Sequence, residues 1–146
     1  MLTIPVVKLD PRAVLPTRGS AQAAGADLYA LPEGDVTLAP GETRLIRTGL
    51  AAAIPEGYAG MVFARSGLAS KRDLAPANKV GVIDADYRGE ILVALHNHGT
   101  EPRTVASGER IAQLVILPVP PCEYVEAKSL PDTERGAGGF GSTGTK

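Results

Sequence analysis

Residues 81–91, GVIDADYRGEI, place polar groups that can do chemistry directly after an apolar pair typical of a β-strand. Asp84 and Asp86 supply carboxylates that can accept a proton, and Tyr87 supplies an aromatic ring beside them. Strands on both sides would hold these groups rigidly at the tip of a hairpin. An isolated Asp-x-Asp-Tyr is also typical of a solvated β-turn, in which aspartate bonds its own backbone. The segment by itself leaves a catalytic carboxylate and a plain turn open.

A second segment, residues 64–71 (ARSGLASK), offers groups that suit a phosphate. Arg65 carries a guanidinium and Ser66 a hydroxyl, and a helix that begins at Gly67 would add the unpaired backbone N–H groups of its first turn. Helix capping by Ser66 accounts for the same residues without any ligand. A phosphate site and a simple helix start are therefore both open.

Two polar residues lie inside apolar or small-residue stretches. Asp27 stands in AGADLYA (24–30), and Gln113 stands in the strand-like GERIAQLVI (108–116). A buried glutamine needs hydrogen-bond partners, so it either crosslinks the fold or contacts a ligand. For Asp27, a structural carboxylate at the end of a strand is the simpler interpretation.

The C-terminal segment RGAGGFGSTG (135–144) has five glycines in ten residues. Glycine loses the most backbone freedom on ordering, and nothing in this segment could offset that loss by burial. Arg135 and Phe140 are its two large side chains. The segment is either a frayed tail or a lid that a ligand orders.

The elements that must position these residues read as short strands between turns. Glycine and proline together make up about a fifth of the chain and recur in turn-like groups such as PEG, PGE and SGE. Between them lie runs rich in Val, Ile and Leu: TIPVVKL, ADLYAL, DVTLA, TRLIRTGL, YAGMVFA, EILVALH and IAQLVILPV. This spacing predicts an all-β sandwich, jelly roll or barrel. One short helix is expected over SGLASKRDL (66–74), with Ser66 as its cap and Leu68 and Leu74 facing inward.

Composition narrows the class of protein. The 146 residues predict one β domain (1–128) followed by an arm (129–146), in which apolar content falls. A net charge of −1 gives no reason to expect a nucleic-acid polymer or an anionic membrane as partner. One cysteine, Cys122, excludes an intrachain disulfide and favours the cytoplasm, and we expect neither a signal peptide nor a membrane span.

Taken together and in order, AGADLYA, RSGLASK, GVIDADYRGEI, GERIAQLVI and RGAGGFGSTG resemble the five motifs of the trimeric deoxyuridine triphosphatases (dUTPases). The resemblance runs from residue 24 to residue 144, with Ala64 standing where many members have proline. It implies a jelly-roll homotrimer with active sites at subunit boundaries. It also implies Mg²⁺-assisted cleavage of dUTP to dUMP and pyrophosphate, which limits uracil in DNA and supplies dUMP for thymidylate synthesis.

The resemblance assigns the base and sugar contacts. Asp84 is similar to the carboxylate that deprotonates the water attacking the α-phosphorus. Asn78, with backbone groups of residues 78–84 including Gly81, is similar to the reader of uracil. Tyr87 resembles the residue that packs beneath the deoxyribose and excludes a 2′-hydroxyl.

The resemblance also assigns the triphosphate and metal contacts. Ser66 and the Gly67 amide resemble a phosphate cradle assisted by Arg65 and Gln113. Asp27 resembles a carboxylate that reaches the metal through water, the ion itself being held mainly by phosphate oxygens.

For the arm, the resemblance implies that it crosses to another subunit's site and closes over the nucleotide. Phe140 would stack on uracil and Arg135 would reach the γ-phosphate. Gly141 would let backbone N–H groups approach phosphate oxygens, and Ser142 would add a hydroxyl donor.

Other functions fit the sequence less well. dCTP deaminases share the fold but need a glutamate near the base, and residues 64–89 contain none. Zinc deaminases need a cysteine pair, and a P-loop phosphatase needs GxxxxGK[ST], which does not occur. A metal pair at His96 and His98 lacks a plausible third ligand. A nucleotide-binding or structural jelly roll without catalysis remains open.

Overall fold

Short antiparallel strands and one helix form the part of the chain that the structure, a computed structural model, describes: residues 2–139. The strands are β1 (Val6–Lys8), β2 (Ala26–Tyr29), β3 (Val36–Leu38), β4 (Thr43–Arg47), β5 (Leu50–Ala52), β6 (Tyr58–Phe63), β7 (Leu74–Pro76), β8 (Gly81–Ile83), β9 (Leu92–Asn97), β10 (Arg103–Val105) and β11 (Arg110–Pro118). The helix is α1 (Ser66–Arg72). The prediction of an all-β fold with at most one short helix is confirmed.

The strands form two larger sheets and two strand pairs. One sheet has the order β2-β11-β6-β8 and the other β4-β9-β7, while β1 pairs with β5 and β3 with β10. All of these pairings are antiparallel, and within residues 2–139 the sheets do not close on themselves. The long strand β11 lies between β2 and β6 and so ties the first and middle parts of the chain together.

Alternation along the strands builds the core. In β9, Val93, Leu95 and Asn97 are buried and the residues between them are more exposed, as the period of two in a strand requires. Asn97 is fully buried, and its Nδ2 donates to the carbonyls of Leu38 (3.0 Å) and Glu101 (2.8 Å). Burying a Leu or Ile side chain contributes about 1.5–3 kcal/mol, so the apolar positions supply most of the stabilisation.

The run TRLIRTGL, expected as one strand, forms two. β4 ends at Arg47 and β5 begins at Leu50, with a bend at Thr48 and Gly49. Gly49 has φ +68°, and a Cβ there would lie 2.5 Å from Leu31 Cδ2. Only glycine fits that backbone conformation and that close approach.

The helix starts and stops differently from the prediction. Arg65, and not Ser66, is the N-cap, and no side chain caps the first turn. Leu68 is buried as expected, but the helix ends at Arg72 because Asp73 takes a left-handed conformation (φ 56°). Leu74 is buried in β7 and not in the helix.

The expected hairpin around residues 84–91 is wrong. β8 pairs with β6 in the four-stranded sheet, whereas β9 pairs with β4 and β7 in the three-stranded sheet. The segment therefore connects two sheets, and it is held by elements that are distant in sequence.

After β11 the chain leaves the sheets. Residues 119–137 contain no strand and are exposed, and the described chain has no helix long and apolar enough to cross a membrane. Phe140, Gly141 and Ser142 lie outside the described residues, and the domain boundary at residue 128 stays a prediction.

Candidate active site

A cavity of about 260 Å³ lies between the two larger sheets and collects four of the candidate residues. Its lining includes Asn78, Gly81, Asp84 and Tyr87, together with apolar side chains from both sheets. The four residues lie within one stretch of the chain, 78–87, which includes β8 of the four-stranded sheet and stands between β7 and β9 of the three-stranded sheet.

A tight turn after β7 presents the Asn78 amide. The Ala77 N–H donates to the Ala94 carbonyl (2.7 Å), and the Val80 N–H donates to the Asn78 carbonyl (2.7 Å). Lys79 adopts φ +63°, a strained conformation for a residue with a side chain. A Cβ on Gly81 would lie 3.3 Å from Asn78 Nδ2, so glycine lets β8 pass close to that amide.

Asp84 stands at the end of β8 with its side chain exposed. Its carbonyl accepts a hydrogen bond from the Tyr87 N–H (3.2 Å), which closes a turn. Among residues 2–139, no hydrogen bond or ion pair engages its carboxylate.

Tyr87 lies against the next part of the connection. Its hydroxyl donates to the Glu90 carbonyl (2.9 Å). Glu90 also lines the cavity, one residue beyond the segment 64–89 that lacks glutamate. Its carboxylate accepts hydrogen bonds from the Gly49 N–H (2.8 Å) and Arg47 Nε (3.2 Å), so it is already committed.

A second group of candidate residues surrounds Asp27, which is 5% exposed. Asp27 of β2 pairs with Gln113 of β11, and Gln113 pairs on its other side with Phe63 of β6. Arg65 follows Phe63 by two residues, so it leaves β6 close to Asp27 and Gln113. Arg65 Nε donates to Asp27 Oδ1 (2.8 Å), and Gln113 Nε2 lies 3.4 Å from the same oxygen. Sequence reasoning foresaw that Gln113 needed partners but not that these residues partner one another.

Arg110 was missed at the level of sequence. Its Nη1 donates to Asp27 Oδ2 (3.2 Å), and its side chain is about half exposed. The Arg110 carbonyl accepts from Arg65 Nη1 (3.3 Å), and both guanidinium groups bond to the Asp27 carboxylate. Ser66 and Gly67, which follow Arg65 in the chain, are exposed. The basic residue after the turn at Gly108 was the available signal.

The two groups are separate within one chain. Gly81 pairs with Val62 and Ile83 pairs with Gly60, so Asp84 lies beyond the end of β8 that is distant from Arg65. Arg65, Ser66, Gly67 and Gln113 do not line the cavity that holds Asp84. Arg135 is exposed and donates to the Gly138 carbonyl of its own segment (2.8 Å).

The donor set limits what metal the chain can hold. Within the described residues, no three His, Cys, Asp or Glu side chains cluster as ligands. Both Asp27 oxygens already accept hydrogen bonds from cationic or amide groups. His96 Nδ1 lies 2.9 Å from Thr43 Oγ1. The described residues therefore do not form a cage of protein ligands for a metal ion.

Comparison with known proteins adds independent information. A family model described as dUTPase matches residues 12–144. The deoxyuridine 5'-triphosphate nucleotidohydrolase of Desulfitobacterium hafniense (strain DSM 10664 / DCB-2) is 54% identical over 142 residues, covering 97% of this chain and 94% of that protein. The protein of the same name from Syntrophotalea carbinolica is 48% identical over 143 residues, covering 98% and 97%.

Solved structures of similar fold are also dUTPases. The Staphylococcus bacteriophage 80alpha dUTPase with dUpNHpp superposes with a TM-score of 0.87 at 32% identity, over 99% of this chain and all of that one. A point mutant of the phage 80alpha dUTPase superposes with a TM-score of 0.88 at 32% identity, over 96% and 98%. These neighbours have a jelly-roll fold, which confirms that part of the prediction. The motifs, the fold and the comparisons agree, and this chain belongs to the dUTPase family, the nucleotidohydrolases of deoxyuridine 5'-triphosphate.

Proposed function

We propose that this chain hydrolyses dUTP to dUMP and pyrophosphate, with Asp84 activating a water that attacks the α-phosphorus in line. The observation that carries the proposal is the uncommitted Asp84 carboxylate in a cavity that also contains Asn78 and Tyr87. Hydrolysis would remove dUTP before a polymerase could use it and would supply dUMP for thymidylate synthesis.

Asp84 is the better base of the two motif carboxylates. Asp27 is buried and its two oxygens accept hydrogen bonds from Arg65, Arg110 and Gln113. Asp84 is exposed, and its carboxylate bonds to none of the described residues. A positioned general base typically contributes about 10²–10⁴-fold to rate.

Base and sugar are read at the cavity. The Asn78 amide can donate and accept along one edge of uracil, and its tight turn restricts the space beside it. Gly81 keeps β8 close to that amide, so a thymine methyl group would find no room. Tyr87 would pack beneath the deoxyribose, where a 2′-hydroxyl would collide with the ring.

The triphosphate would lie against Arg65, Ser66, the Gly67 N–H and Gln113. Asp27 holds Arg65 and Gln113 in place, so these donors are oriented before substrate arrives. Arg110 adds a second cation beside them. Charge developing on phosphate oxygens would be stabilised without rearrangement of these side chains.

Magnesium fits this site as a partner of the substrate. The ion would be held by phosphate oxygens and water, with Asp27 reached through a water molecule. When bound, it would neutralise part of the charge that develops on the transferring phosphoryl group.

A homotrimer would complete the site. Asp84 and the Arg65 group lie apart in one chain, so a second copy is needed to bring a cavity and a phosphate cradle together. A third copy could supply Phe140, Arg135, Gly141 and Ser142 to close over the nucleotide. This arrangement rests on the family resemblance and on that separation.

Product analysis with labelled water tests the proposal. A panel of deoxynucleoside and ribonucleoside triphosphates should show dUTP as the preferred substrate, with dUMP and pyrophosphate as products. In H₂¹⁸O, in-line attack at the α-phosphorus places the label in dUMP. Label in pyrophosphate, or equal turnover of dCTP or dTTP, would contradict the proposal.

A further inference from the structure

The Tyr87 ring lies against the main chain of Gly89. A Cβ built on Gly89 would lie 2.4 Å from the Tyr87 hydroxyl oxygen and 2.6 Å from Cζ. The ring therefore occupies the space that any larger residue at position 89 would fill. Gly89 does not have a positive φ, so its backbone conformation alone does not require glycine.

The hydroxyl of Tyr87 ties the ring to the next residue. It donates to the Glu90 carbonyl at 2.9 Å. Contact with Gly89 and this hydrogen bond together define where the ring lies at the cavity. Any movement of residues 89–90 would move the ring with them.

Glu90 is in turn held by the bend between β4 and β5. Its Oε1 accepts from the Gly49 N–H (2.8 Å) and from Arg47 Nε (3.2 Å), and its side chain is 19% exposed. The main chain follows the same course, because the Ile91 N–H donates to the Leu50 carbonyl (2.7 Å) and Thr48 Oγ1 donates to the Ile91 carbonyl (2.6 Å).

We propose that Gly89 and Glu90 are positioning residues for Tyr87, and that they set how strongly the site discriminates 2′-deoxyribose from ribose. The proposal rests on the sugar-packing role given to Tyr87 above. The bend at residues 47–49 anchors Glu90, Glu90 and Gly89 place the ring, and the ring meets the sugar. Glu90 also lines the cavity, but its carboxylate is occupied by the Gly49 N–H and Arg47 Nε.

The placement of the ring can be measured without substrate. The chain has four tyrosines, and 3-fluorotyrosine labelling gives each one a ¹⁹F signal, with Tyr87 assigned by Tyr87→Phe. The Tyr87 signal should shift in Gly89→Ala and in Glu90→Ala. It should stay unchanged in Gly34→Ala, where an added Cβ meets nothing within 4 Å. An unshifted Tyr87 signal in both Gly89→Ala and Glu90→Ala overturns the proposal, whatever the enzyme's activity.

Kinetics then test the consequence for sugar selection. Because a displacement of a substrate-contacting group by about 1 Å can lower catalytic efficiency strongly, Gly89→Ala should raise KM for dUTP about tenfold. It should also change the UTP-to-dUTP ratio of kcat/KM. The Tm should stay within about 2 °C of wild type. Glu90→Ala should lower discrimination against UTP, and Glu90→Gln should restore part of it, since an amide oxygen can still accept from the Gly49 N–H.

A matched pair on β4 separates this role from a general loss of charge. Arg47 pairs with Glu90 (3.2 Å) and also with Glu33 (3.7 Å), whereas Arg44 pairs with Glu42 (2.6 Å) and has no hydrogen bond or ion pair to Glu90. Arg47→Ala should weaken discrimination against UTP, and Arg44→Ala should not.

If Tyr87→Ala changes the UTP-to-dUTP ratio of kcat/KM and the Gly89 and Glu90 variants do not, the positioning role is wrong and the proposed function stands. If Tyr87→Ala also leaves the ratio unchanged, the sugar role of Tyr87 is wrong and this proposal falls with it.

Discussion

At the scale of single residues, two aspartates in recognisable motifs have opposite surroundings. Asp27 is buried and bonded to Arg65, Arg110 and Gln113, whereas Asp84 is exposed at a cavity with its carboxylate bonded to none of the described residues. The Asp27 carboxylate holds the side chains of its three hydrogen-bond donors in place. A free carboxylate can take a proton from water, so the two residues suit different tasks.

Replacing Asp84 tests that division. Asp84→Asn should lower kcat for dUTP by about 10²-fold or more, because the amide cannot accept the proton, while dUTP binding and Tm stay near wild type. Asp86→Asn is the matched control, since Asp86 is also exposed and lies two residues away. Steady-state kinetics with a binding titration measure both. Near-wild-type turnover in Asp84→Asn would remove Asp84 from the role of base.

Asp10 offers a prediction on pH. Hydrogen bonds from the Arg12 side chain (2.7 Å), and then from its backbone N–H (2.9 Å), lower the pKa of Asp10 from 3.8 to about 2. Because the folded-state pKa lies below that of the unfolded chain, the pair stabilises the fold above about pH 4, and this contribution is lost as the pH falls towards 2.

Carboxyl-carbon NMR titration checks this value. Arg12→Ala should return the pKa of Asp10 part of the way to 3.8, since the backbone hydrogen bond can remain. Arg44→Ala, which removes a different ion pair, should leave the Asp10 pKa unchanged. A pKa near 3.8 in the wild-type protein would show that the pair does not form in solution.

At the scale of elements, the end of helix α1 depends on one unusual residue. Asp73 takes a left-handed conformation (φ 56°), its N–H donates to the Leu68 carbonyl, and its carbonyl accepts from the His98 N–H (2.8 Å). Its side chain pairs with Arg103 at 2.7 Å. Glycine is the usual residue at such a position because it adopts the left-handed conformation without steric cost. Aspartate carries that cost but gains an ion pair with Arg103.

Two substitutions at Asp73 separate the backbone from the ion pair. Both Asp73→Gly and Asp73→Ala lose the contact with Arg103, but only alanine carries a Cβ in the left-handed conformation. Asp73→Ala should therefore be less stable than Asp73→Gly by about 1 kcal/mol. Urea unfolding at one fixed protein concentration measures the difference. Equal free energies of unfolding would mean that the helix end rearranges.

At the scale of the whole molecule, the candidate site residues fall into two groups that lie apart within one chain. The cavity with Asp84 and the group around Arg65 lie apart, and the segment after β11 contains no strand up to residue 137. Residues 119–137 are exposed, so the body of the protein does not depend on them for burial. An assembly of several copies of the chain would bring the cavity, the group around Arg65 and the C-terminal segment of different copies together at one site.

A truncation after Leu130 tests the arm. Tm and oligomer size should not change, because little apolar surface is buried in the described residues beyond that point. Activity should collapse, since aromatic stacking on a base is worth about 1–3 kcal/mol and a guanidinium on a phosphate about 1.5–3 kcal/mol. Phe140→Ala alone should cost about tenfold in kcat/KM. Wild-type activity of the truncated chain would show that the arm has no part in catalysis.

Mixing variants asks which copy supplies the arm. Chains truncated after Leu130 and Asp84→Asn chains should each be inactive alone. After subunit exchange, hybrid trimers can combine an intact Asp84 with an intact arm from another chain, so some activity should return. No recovery after exchange verified by mass spectrometry would mean that the arm closes over its own chain's Asp84.

The features of this protein that depend on neighbouring residues in the chain could be predicted from its sequence. Alternation and turn residues predicted a fold of short strands, and five motifs in order predicted the family. The roles of Asp84, Asn78 and Tyr87, which the resemblance to that family implies, stay predictions. A strand's alternation shows which side is buried because successive side chains point to opposite faces. It carries no information on which strand will pair with it.

Only the tertiary structure decided the long-range relations. It put β8 and β9 in different sheets, so residues 84–91 link the sheets and do not form a hairpin. It broke one predicted strand at Gly49, where Leu31 lies too close for a side chain, and it joined Arg110 to Asp27 across 83 residues of sequence. Contacts of this kind depend on the packing of distant segments, and no local pattern in the chain encodes them.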